Sequence, residues 1–470
     1  MADVDDKTAP ESGSATTFRD EEGRINAPFV EHIVRAMAAD NAARLRELTE
    51  DLHEADIGAL IEALDAEDRS RLVRLLTPGF DFKALTEIDS GVREKLLREL
   101  PNETVVEGLR ELDIDDAVYI LEDLDDEAKA GILDRLPAPE RVALERSLDY
   151  PDDSAGRRMQ TEFVAVPPFW SVGQVIDFMR ESTDLPDKFY EIFVVDPGYR
   201  LRGSVELDTL LRTRRPVRVS EIASEDVHRV RAADDQEDVA RLLKRYNMVS
   251  VPVVDEAERL VGVVMVDDVV DVMEEEAEED LKALGGVRRE EELSDNVWTI
   301  TRSRFTWLFL NLITAFVAAS VLGLFEGQLQ KMVALAVLAP IVASQGGNAA
   351  TQTMTVAVRA LATRELTRAN MWRIVLREVF AALLNGFGFA VITGVLAGLW
   401  FQSRGLGLVI GAAMVVNLVA GALGGILVPL TLERFRADPA VSSGVFVTTV
   451  TDVVGFFAFL GIATLWFGLS

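Results

Sequence analysis

Apolar residues follow different patterns along the chain, and the clearest change falls near residue 300. Up to about residue 150, Leu recurs at helical spacing among acidic positions, and Pro78, Pro101, Pro137 and Pro139 separate the segments. From about residue 155 to 275, short Val-rich runs alternate with helical patterns, which indicates α/β structure. Beyond residue 300 the apolar runs lengthen and lose almost all charge. The pattern predicts a multidomain protein.

Five apolar stretches in the last part of the chain are long enough to cross a membrane. A hydrocarbon core about 30 Å thick needs about 20 apolar residues in a helix. The stretches cover residues 305–325, 332–358, 379–401, 405–432 and 440–469. We therefore predict an all-α membrane domain over residues 301–470 with five transmembrane helices, in preference to the buried core helices of a soluble enzyme.

Charge separates the same two parts. Residues 1–300 contain 72 acidic and 37 basic residues, and the remaining 170 contain six and 11. The formal charge of −30 argues against a nucleic-acid partner bound through phosphates. The absence of Cys excludes disulfides and thiolate metal sites. No Ser, His and Asp set or phosphate-cradling loop emerges, so the sequence does not indicate an enzyme.

The basic residues between the spans predict an orientation. Nine Arg residues lie before the first span, between the second and third, and between the fourth and fifth, whereas Lys331 and Arg404 fall on the opposite side. The N-terminal segment is acidic and polar, without the apolar run of a secretory signal. We expect a multi-pass protein of the cytoplasmic membrane, with its N-terminal half in the cytoplasm and its C-terminus outside.

A single carboxylate, Asp452, lies well inside the fifth span, close to Thr448, Thr449 and Thr451. A carboxylate in hydrocarbon costs about 3 kcal/mol on insertion scales, so it should face water, a cation or a buried partner. No basic residue lies within a span to pair with it. We favour a cation site lining a pore over a protonated Asp that joins helices by a hydrogen bond.

The second span contains Pro340 followed by the stretch SQGGNAATQT. Helix breakers and amides at membrane depth fit either a cavity wall or close helix packing. Together with Asp452, this stretch is the second candidate wall of an ion pathway, whereas Asn417 and the nearby glycines of the fourth span indicate packing. The membrane domain has no His or Cys, so its oxygen ligands favour a hard cation, and a sparse carboxylate site suits Mg²⁺ better than Ca²⁺.

Two internal repeats organise the part before the membrane domain. DIGALIEALDAEDRSRLVRLL, from Asp56, aligns with DAVYILEDLDDEAKAGILDRL, from Asp116, at an offset of 60 residues. We predict a disordered tail over residues 1–24 and stacked helical hairpins, a superhelical α-helical domain, over residues 25–153. VVDPGYRLRGSVELDTLL, from Val194, matches VVDEAERLVGVVMVDDVV, from Val253, at an offset of 59 residues. This repeat predicts two paired α/β modules over residues 154–215 and 216–273. Each should have a helix upstream of its strand pair, from Val172 to Arg180 in the first and from Gln236 to Tyr246 in the second.

The repeated order of strand, turn, Gly, strand, Asp and helix resembles the tandem CBS (cystathionine β-synthase) module, a regulatory unit that often binds adenine nucleotides. The Thr expected three residues after the Gly is Glu206 in one copy and Met265 in the other, although Asp208 and Asp267 remain. These replacements argue against nucleotide binding, and we keep ATP only as a candidate ligand.

The acidic helical domain, the CBS module, and the motifs PIVASQGGNAATQT and DPAVSSGVFVTTVTDVVGF follow one another in this chain. In this order they resemble the MgtE family of magnesium channels from about residue 25 onward. The resemblance implies a homodimer in the lipid bilayer, with the ion pathway along its two-fold axis and Asp452 at the main cation site. The candidates for lining the pore are Gly346, Gly347, Asn348, Thr448 and Thr449.

In that family a long connecting helix, predicted here over residues 274–300, leads to the pore and gates it. Acidic residues of this segment and of the second CBS copy match the family's magnesium sensor. They are Asp235, Glu237, Asp268, Asp271, Glu276, Glu279 and Asp280. The alternative for such a charge run is a solvated helix face, and Asp115 and Asp116 of the helical domain are further sensor candidates.

The resemblance thus implies a magnesium-selective channel with negative feedback. Mg²⁺ bound to the acidic surfaces would hold them together and keep the pore closed, and loss of Mg²⁺ would let like charges drive them apart. Two alternatives remain from the residues. One is a divalent cation transporter coupled to protons through Asp452, and the other is a membrane-anchored adenine-nucleotide sensor without transport.

Overall fold

The structure is a computed structural model that describes residues 17–20, 22–183, 185–186, 188–288, 291, 296–366, 369–435 and 438–469. The chain forms two compact units, Met1–Glu274 and Glu275–Ser470. Of the tail predicted to be disordered over residues 1–24, residues 1–16 and residue 21 lie outside the described residues.

The first unit begins with a domain of short helices whose apolar faces form one core. Leu60, Ile61, Leu72, Leu85 and Leu121 are fully buried in it. A 3₁₀ helix covers Phe82–Leu85. The α-helices are α1 (Ala27–Ala38), α2 (Ala42–Thr49), α3 (Glu54–Ala63), α4 (Ala66–Leu76), α5 (Ser90–Glu99), α6 (Asn102–Leu109), α7 (Ile114–Glu122), α8 (Asp126–Leu133) and α9 (Ala138–Leu148).

The 60-residue repeat corresponds to two helix pairs, α3 with α4 and α7 with α8. The repeated Asp lies at the start of the second helix of each pair, and Asp125 caps α8 by accepting a hydrogen bond from the backbone N–H of Ala128 at 2.9 Å. The predicted helical hairpins are confirmed. The domain starts earlier than residue 25, however, because Phe18 is buried with its ring 5.6 Å from that of Phe29.

The predicted CBS module consists of two three-stranded sheets of the same topology. In each sheet the central strand pairs parallel to the first and antiparallel to the third. Its elements are β1 (Ala165–Val166), α10 (Val172–Glu181), β2 (Glu191–Val195), β3 (Leu201–Glu206), α11 (Leu207–Arg212), α12 (Val219–Ile222), β4 (Val230–Arg231), α13 (Gln236–Tyr246), β5 (Ser250–Val254) and β6 (Leu260–Met265). The helices predicted upstream of each strand pair, from Val172 and from Gln236, are confirmed.

The two copies exchange their leading segments, which corrects the boundaries drawn from the sequence. Ala155 and Met159, assigned to the first copy, lie in the core of the second. Val219, assigned to the second copy, lies in the core of the first. The repeated Gly makes room for each incoming segment, because a Cβ at Gly203 would lie 2.8 Å from the carbonyl oxygen of Ser224. The copies therefore form one module.

The connecting helix differs from its predicted range of 274–300. Helix α14 covers Val266–Leu284, so it begins directly after β6 inside the second CBS copy. It ends at Gly285 and Gly286, and Gly286 has a φ of 70°, which a residue with a Cβ rarely adopts. Residues 297–300 belong instead to the first membrane helix.

Among its described residues, the second unit has five helices with the length and hydropathy of membrane spans, as predicted. A short helix separates the first two spans. The elements are α15 (Val297–Leu324), α16 (Glu326–Lys331), α17 (Val333–Ala362), α18 (Met371–Trp400), α19 (Arg404–Arg434) and α20 (Pro439–Phe467). Helix α19 lies at the centre of this bundle, since 61% of the residues in its most apolar stretch are buried. The corresponding share for α15 is 6%.

Asn417 joins three of these helices. Its side chain is fully buried, and its Nδ2 atom donates a hydrogen bond to the carbonyl oxygen of Val342 on α17 at 2.7 Å. Gly346 of α17 and Gly455 of α20 leave space for this side chain, because a Cβ would lie 2.1 Å and 2.7 Å from Nδ2. The packing role predicted for Asn417 is confirmed.

We expect Gly346→Ala to destabilise the membrane domain by about 1–3 kcal/mol, the usual effect of an added methyl group in a well-packed core. Thermal unfolding of the full chain in detergent measures this effect. Gly388→Ala is the matched control, since a Cβ at Gly388 meets no atom within 4 Å. Equal stability of the two variants would contradict the packing described for Asn417.

Candidate functional site

A cavity of about 840 Å³ lies among α15, α17 and α20 in the second unit. The residues from Leu284 to Val287, at the end of α14, also line it. Its polar and charged lining consists of Arg304, Asn311, Thr314, Thr351, Thr448, Thr449 and Asp452. The helices around it are long enough to span a membrane. The cavity is thus a space within the membrane domain that apolar and polar residues line together.

Asp452 is the one acidic residue among the described residues that line this cavity. Its side chain is half-buried and makes no hydrogen bond or ion pair with the described residues. Buried carboxylates normally have a partner. The placement of Asp452 agrees with a carboxylate that faces water or a cation, and it gives no support to an Asp that joins helices by a hydrogen bond.

Three threonines of α17 and α20 line the cavity together with Asp452. Thr448 donates its hydroxyl proton to the carbonyl oxygen of Gly444 at 2.9 Å, and Thr351 donates to that of Gly347 at 3.0 Å. Thr449 similarly donates to a carbonyl oxygen of its own helix. Because the protons are used within the helices, the hydroxyl lone pairs remain free to accept hydrogen bonds from water. Such a wall suits a hydrated cation.

The other predicted pore residues lie outside the lining of this cavity. Gly346 is buried against Asn417, and Asn348 is exposed. Gly347 is half-buried, and a Cβ added there would lie 3.9 Å from the hydroxyl oxygen of Thr451. The structure thus brings Thr448, Thr449 and Asp452 together. It also supplies lining residues of α15 that the sequence analysis missed, because an uncharged span carries no signal of which face meets the cavity.

A second group of candidates meets in the first unit, where the start of α7 approaches the start of α14. Asp115 is 8% exposed, and its Oδ1 atom has no hydrogen-bond partner. The Oδ2 atom of Asp268 is likewise buried without a partner. The two carboxylates are close enough to repel each other. Asp116 lies beside them and forms an ion pair with Lys83 at 3.2 Å.

Burial and mutual repulsion shift the pKa of these groups. Burial raises the pKa of Asp115 well above its usual range, and the Asp268 carboxylate raises it further. Burial, with Asp267 and Asp116 nearby, raises the pKa of Asp268 to about 7. Burial also raises the pKa of Asp116, although Lys83 opposes that shift. Ionisation of these carboxylates at neutral pH therefore costs free energy, and a bound cation would offset that cost.

A cation at this interface would keep much of its water. No three Asp, Glu or His side chains converge as a metal-ligand set in the part of the chain that the structure describes. Mg²⁺ commonly binds through one or two carboxylates and retains several waters. The Asp115 and Asp268 pair fits that coordination.

The remaining sensor candidates lie at the start of α13 and farther along α14. Asp235 caps α13 by accepting a hydrogen bond from the backbone N–H of Glu237 at 2.8 Å, and Glu237 forms an ion pair with Arg241. Asp271 is exposed one turn after Asp268 and contributes to the raised pKa of that residue. The candidates on the last part of α14 are all half-buried: Glu276, Glu279 and Asp280.

The two replaced positions of the CBS pattern, Glu206 and Met265, each line a cleft of the module. One cleft, of about 320 Å³, is lined by Glu191, Glu206 and Asp226, which would repel phosphates. Glu191 lies directly opposite Glu206 on the paired strands, and burial together with Glu206 raises the pKa of Glu191 to about 7. Aromatic residues fill the other cleft to about 10 Å³. ATP stays a candidate ligand, which the acidic lining of the first cleft disfavours.

Comparison with protein families gives three matches along the chain. The MgtE family model, described as a divalent cation transporter, matches residues 339–462. The model of the MgtE intracellular N domain matches residues 52–153, and the CBS domain model matches residues 219–275.

Similar proteins cover most of the chain. It is 35% identical to a magnesium transporter MgtE of Enterococcus faecalis over 423 residues, which cover 90% of this chain and 93% of that one. It is 36% identical to a magnesium transporter MgtE of Thermus thermophilus over 71% of this chain and 74% of that one. A crystal structure of the cytosolic domain of the Mg²⁺ channel MgtE in complex with ATP is 34% identical, with a TM-score of 0.49, over 52% of this chain and 99% of that one.

Proposed function

Since the chain belongs to the MgtE family of magnesium transporters, we propose that it is a magnesium-selective channel whose pore is closed by bound Mg²⁺. This Mg²⁺ binds to the part before the membrane domain, residues 1–300, which we call the soluble half. The predicted family resemblance is confirmed, and the family is one of membrane ion transporters rather than enzymes. The observation that carries the channel proposal is the membrane cavity lined by Asp452 and threonine hydroxyls.

Permeation follows from the chemistry of that lining. Hydrated Mg²⁺ is attracted by the carboxylate of Asp452, and its waters donate hydrogen bonds to the hydroxyl oxygens of Thr448, Thr449 and Thr351. In the proposed homodimer a second Asp452 faces the first across the two-fold axis, which gives two carboxylates for one divalent cation. Gly346, Gly347 and Asn348 would then line the pathway nearer the axis.

Gating is supported by the carboxylates of the first unit. Without a cation, ionised Asp115 and Asp268 repel each other at a buried contact. Mg²⁺ between them favours the compact, closed form, provided that it binds this form more tightly than the open one. Helix α14 carries Asp268 near its first turn and ends at Leu284, which lines the cavity. One continuous helix can therefore transmit the change.

The other acidic candidates complete this sensor. Asp271 lies next to Asp268 on α14, and Asp116 lies next to Asp115 on α7. Glu276, Glu279 and Asp280 share one face of α14, where a cation would relieve their repulsion. Asp235 and Glu237 add negative charge at the start of α13. We place this soluble half in the cytoplasm and the C-terminus outside, because the Arg residues between the spans favour that orientation.

Mg²⁺ uptake into liposomes that contain the full chain and a trapped fluorescent indicator tests the channel against its alternatives. We expect uptake that follows the Mg²⁺ gradient and persists when the proton gradient is abolished. Uptake that requires a proton gradient would favour a coupled transporter. Absence of uptake would leave a membrane-anchored sensor.

The raised pKa of Asp268, about 7, predicts a pH dependence of the compact form. An Asp with a raised pKa stabilises the compact form below its ordinary pKa, and this stability is lost as the pH rises through about 7. We therefore expect α7 and α14 to resist proteolysis at about pH 6 without Mg²⁺, and to require millimolar Mg²⁺ at about pH 8. Limited proteolysis of the full chain measures this, and Asp268→Asn should weaken the dependence. Identical cleavage at both pH values without Mg²⁺ would contradict the proposal.

A further inference from the structure

We propose that Glu291 neutralises Arg304 at the wall of the Asp452 cavity, and that this ion pair determines how readily a divalent cation passes. The inference rests on the proposed channel function. It concerns two residues to which the sequence analysis gave no role in the ion pathway.

Arg304 gives the cavity a positive charge. It lies near the start of α15, and it is the one cationic side chain among the described residues that line the cavity. Its side chain is 54% exposed, and the residue lines the space that an ion would occupy. A free positive charge there would repel Mg²⁺ from the cavity that Asp452 makes attractive.

Glu291 compensates this charge from the segment between α14 and α15. The Nε atom of Arg304 donates a hydrogen bond to Oε1 of Glu291 at 3.0 Å, and Nη2 of Arg304 donates to the same oxygen. The Glu291 side chain is 6% exposed, and its Oε2 atom has no hydrogen-bond partner. A buried carboxylate with one counter-charge is a costly arrangement. Its presence beside the cavity indicates a role for the pair.

The charge of the permeating ion amplifies the effect. Electrostatic energy is proportional to ionic charge, so a potential that lowers the entry of a monovalent cation about 10-fold lowers that of a divalent cation about 100-fold. Neutralising Arg304 therefore matters most for a divalent ion. The pair acts on entry and discrimination, whereas Asp452 attracts the ion.

The test compares Mg²⁺ uptake by full-length variants in liposomes. Glu291→Gln, which leaves Arg304 uncompensated, should lower uptake at least about 10-fold. The double variant Glu291→Gln with Arg304→Gln should recover uptake to within about two-fold of the unsubstituted chain. Arg302→Gln is the matched control, because Arg302 is an exposed Arg of the same helix that does not line the cavity, and its uptake should stay unchanged.

A purely structural role of the ion pair predicts a different result. If Glu291 only anchors the chain before α15, Glu291→Gln and the double variant lose uptake alike. That outcome, or normal uptake by Glu291→Gln, would overturn the inference.

A chemical version of the test adds the positive charge only after the chain has folded, so an uncompensated Arg304 cannot disturb folding. The chain has no Cys, so Arg304→Cys in the Glu291→Gln background supplies a single thiol. A cationic methanethiosulfonate, added after reconstitution, should lower uptake, and the neutral methyl reagent should not. Complete cationic labelling, verified by mass, without loss of uptake would overturn the inference. If the unsubstituted chain itself takes up no Mg²⁺, the proposed channel function fails as well.

Discussion

Mg²⁺ uptake is expected to fall more than about 100-fold when Asp452 is replaced by Ala, with the chain still folded. A carboxylate about 5 Å from a divalent ion contributes about 3 kcal/mol at an effective dielectric constant of about 40. The described lining of the cavity offers no second acid to replace it. Threonine hydroxyls alone provide acceptors for water but no net charge. Uptake into liposomes, normalised to the amount of reconstituted protein, measures the loss.

Two variants make this result specific. Asp452→Glu keeps the charge and should retain part of the uptake. Glu433→Gln removes an exposed carboxylate at the end of α19 and should leave uptake unchanged. Normal uptake by Asp452→Ala would show that the ion does not pass this cavity.

The second large effect is expected from Asp268→Lys, which should close the channel without Mg²⁺. A Lys at this position can pair with Asp115, so the repulsion that Mg²⁺ relieves becomes an attraction. The compact form should then resist proteolysis at micromolar Mg²⁺, and uptake should fall at least about 10-fold, a change of about 1.4 kcal/mol in the gating equilibrium.

The added length of Lys requires a second variant. Asp115→Asn with Asp268→Asn removes both charges at nearly constant volume. Compaction should then depend much less on Mg²⁺, since only the other acids of the sensor remain. Glu274→Gln is the control, because this exposed acid of α14 lies away from the start of the helix. A double variant that still compacts only with Mg²⁺ would show that these two carboxylates are not the sensor.

Much of the fold could be predicted from the sequence because its signals are local. The apolar stretches and the charges between them predict the five spans. The 59-residue repeat predicts both CBS sheets, and helix α13 matches the expected bounds Gln236 and Tyr246. The bounds of α14 were wrong because its first turn belongs to the repeated motif, which was assigned to the CBS copy. Gly285 and Gly286 indicate the end of α14, but the prediction followed the acidic run and extended the helix beyond them.

The sites were predictable only in part, since they depend on contacts between distant segments. Thr448, Thr449 and Asp452 share a helix face through their spacing, so the sequence predicts them as a group. Nothing in the apolar pattern of α15 distinguishes the face that carries Asn311 and Thr314. The family resemblance indicated Asp115 and Asp268 as separate sensor candidates, but the sequence contains no signal that these residues, far apart in the chain, lie close together.

The exchange of segments between the CBS copies was not predicted for the same reason, since it also depends on contacts between distant segments. Periodicity assigns each segment to the copy that follows it in the chain, but packing is decided by the space at Gly203 and Gly262. A Cβ at Gly262 would lie 2.7 Å from the carbonyl oxygen of Gln160, a contact between residues about a hundred positions apart. Sequence alone does not contain that distance.

Current across a planar bilayer that contains the full chain tests the central proposal, a magnesium channel closed by Mg²⁺ at its soluble half, most directly. We expect a Mg²⁺ current proportional to voltage that falls at least about 10-fold as free Mg²⁺ on the side of the soluble half rises from micromolar to about 10 mM. A current indifferent to Mg²⁺ on that side would contradict the proposed feedback. Mg²⁺ movement without current, or only with a proton gradient, would contradict the channel.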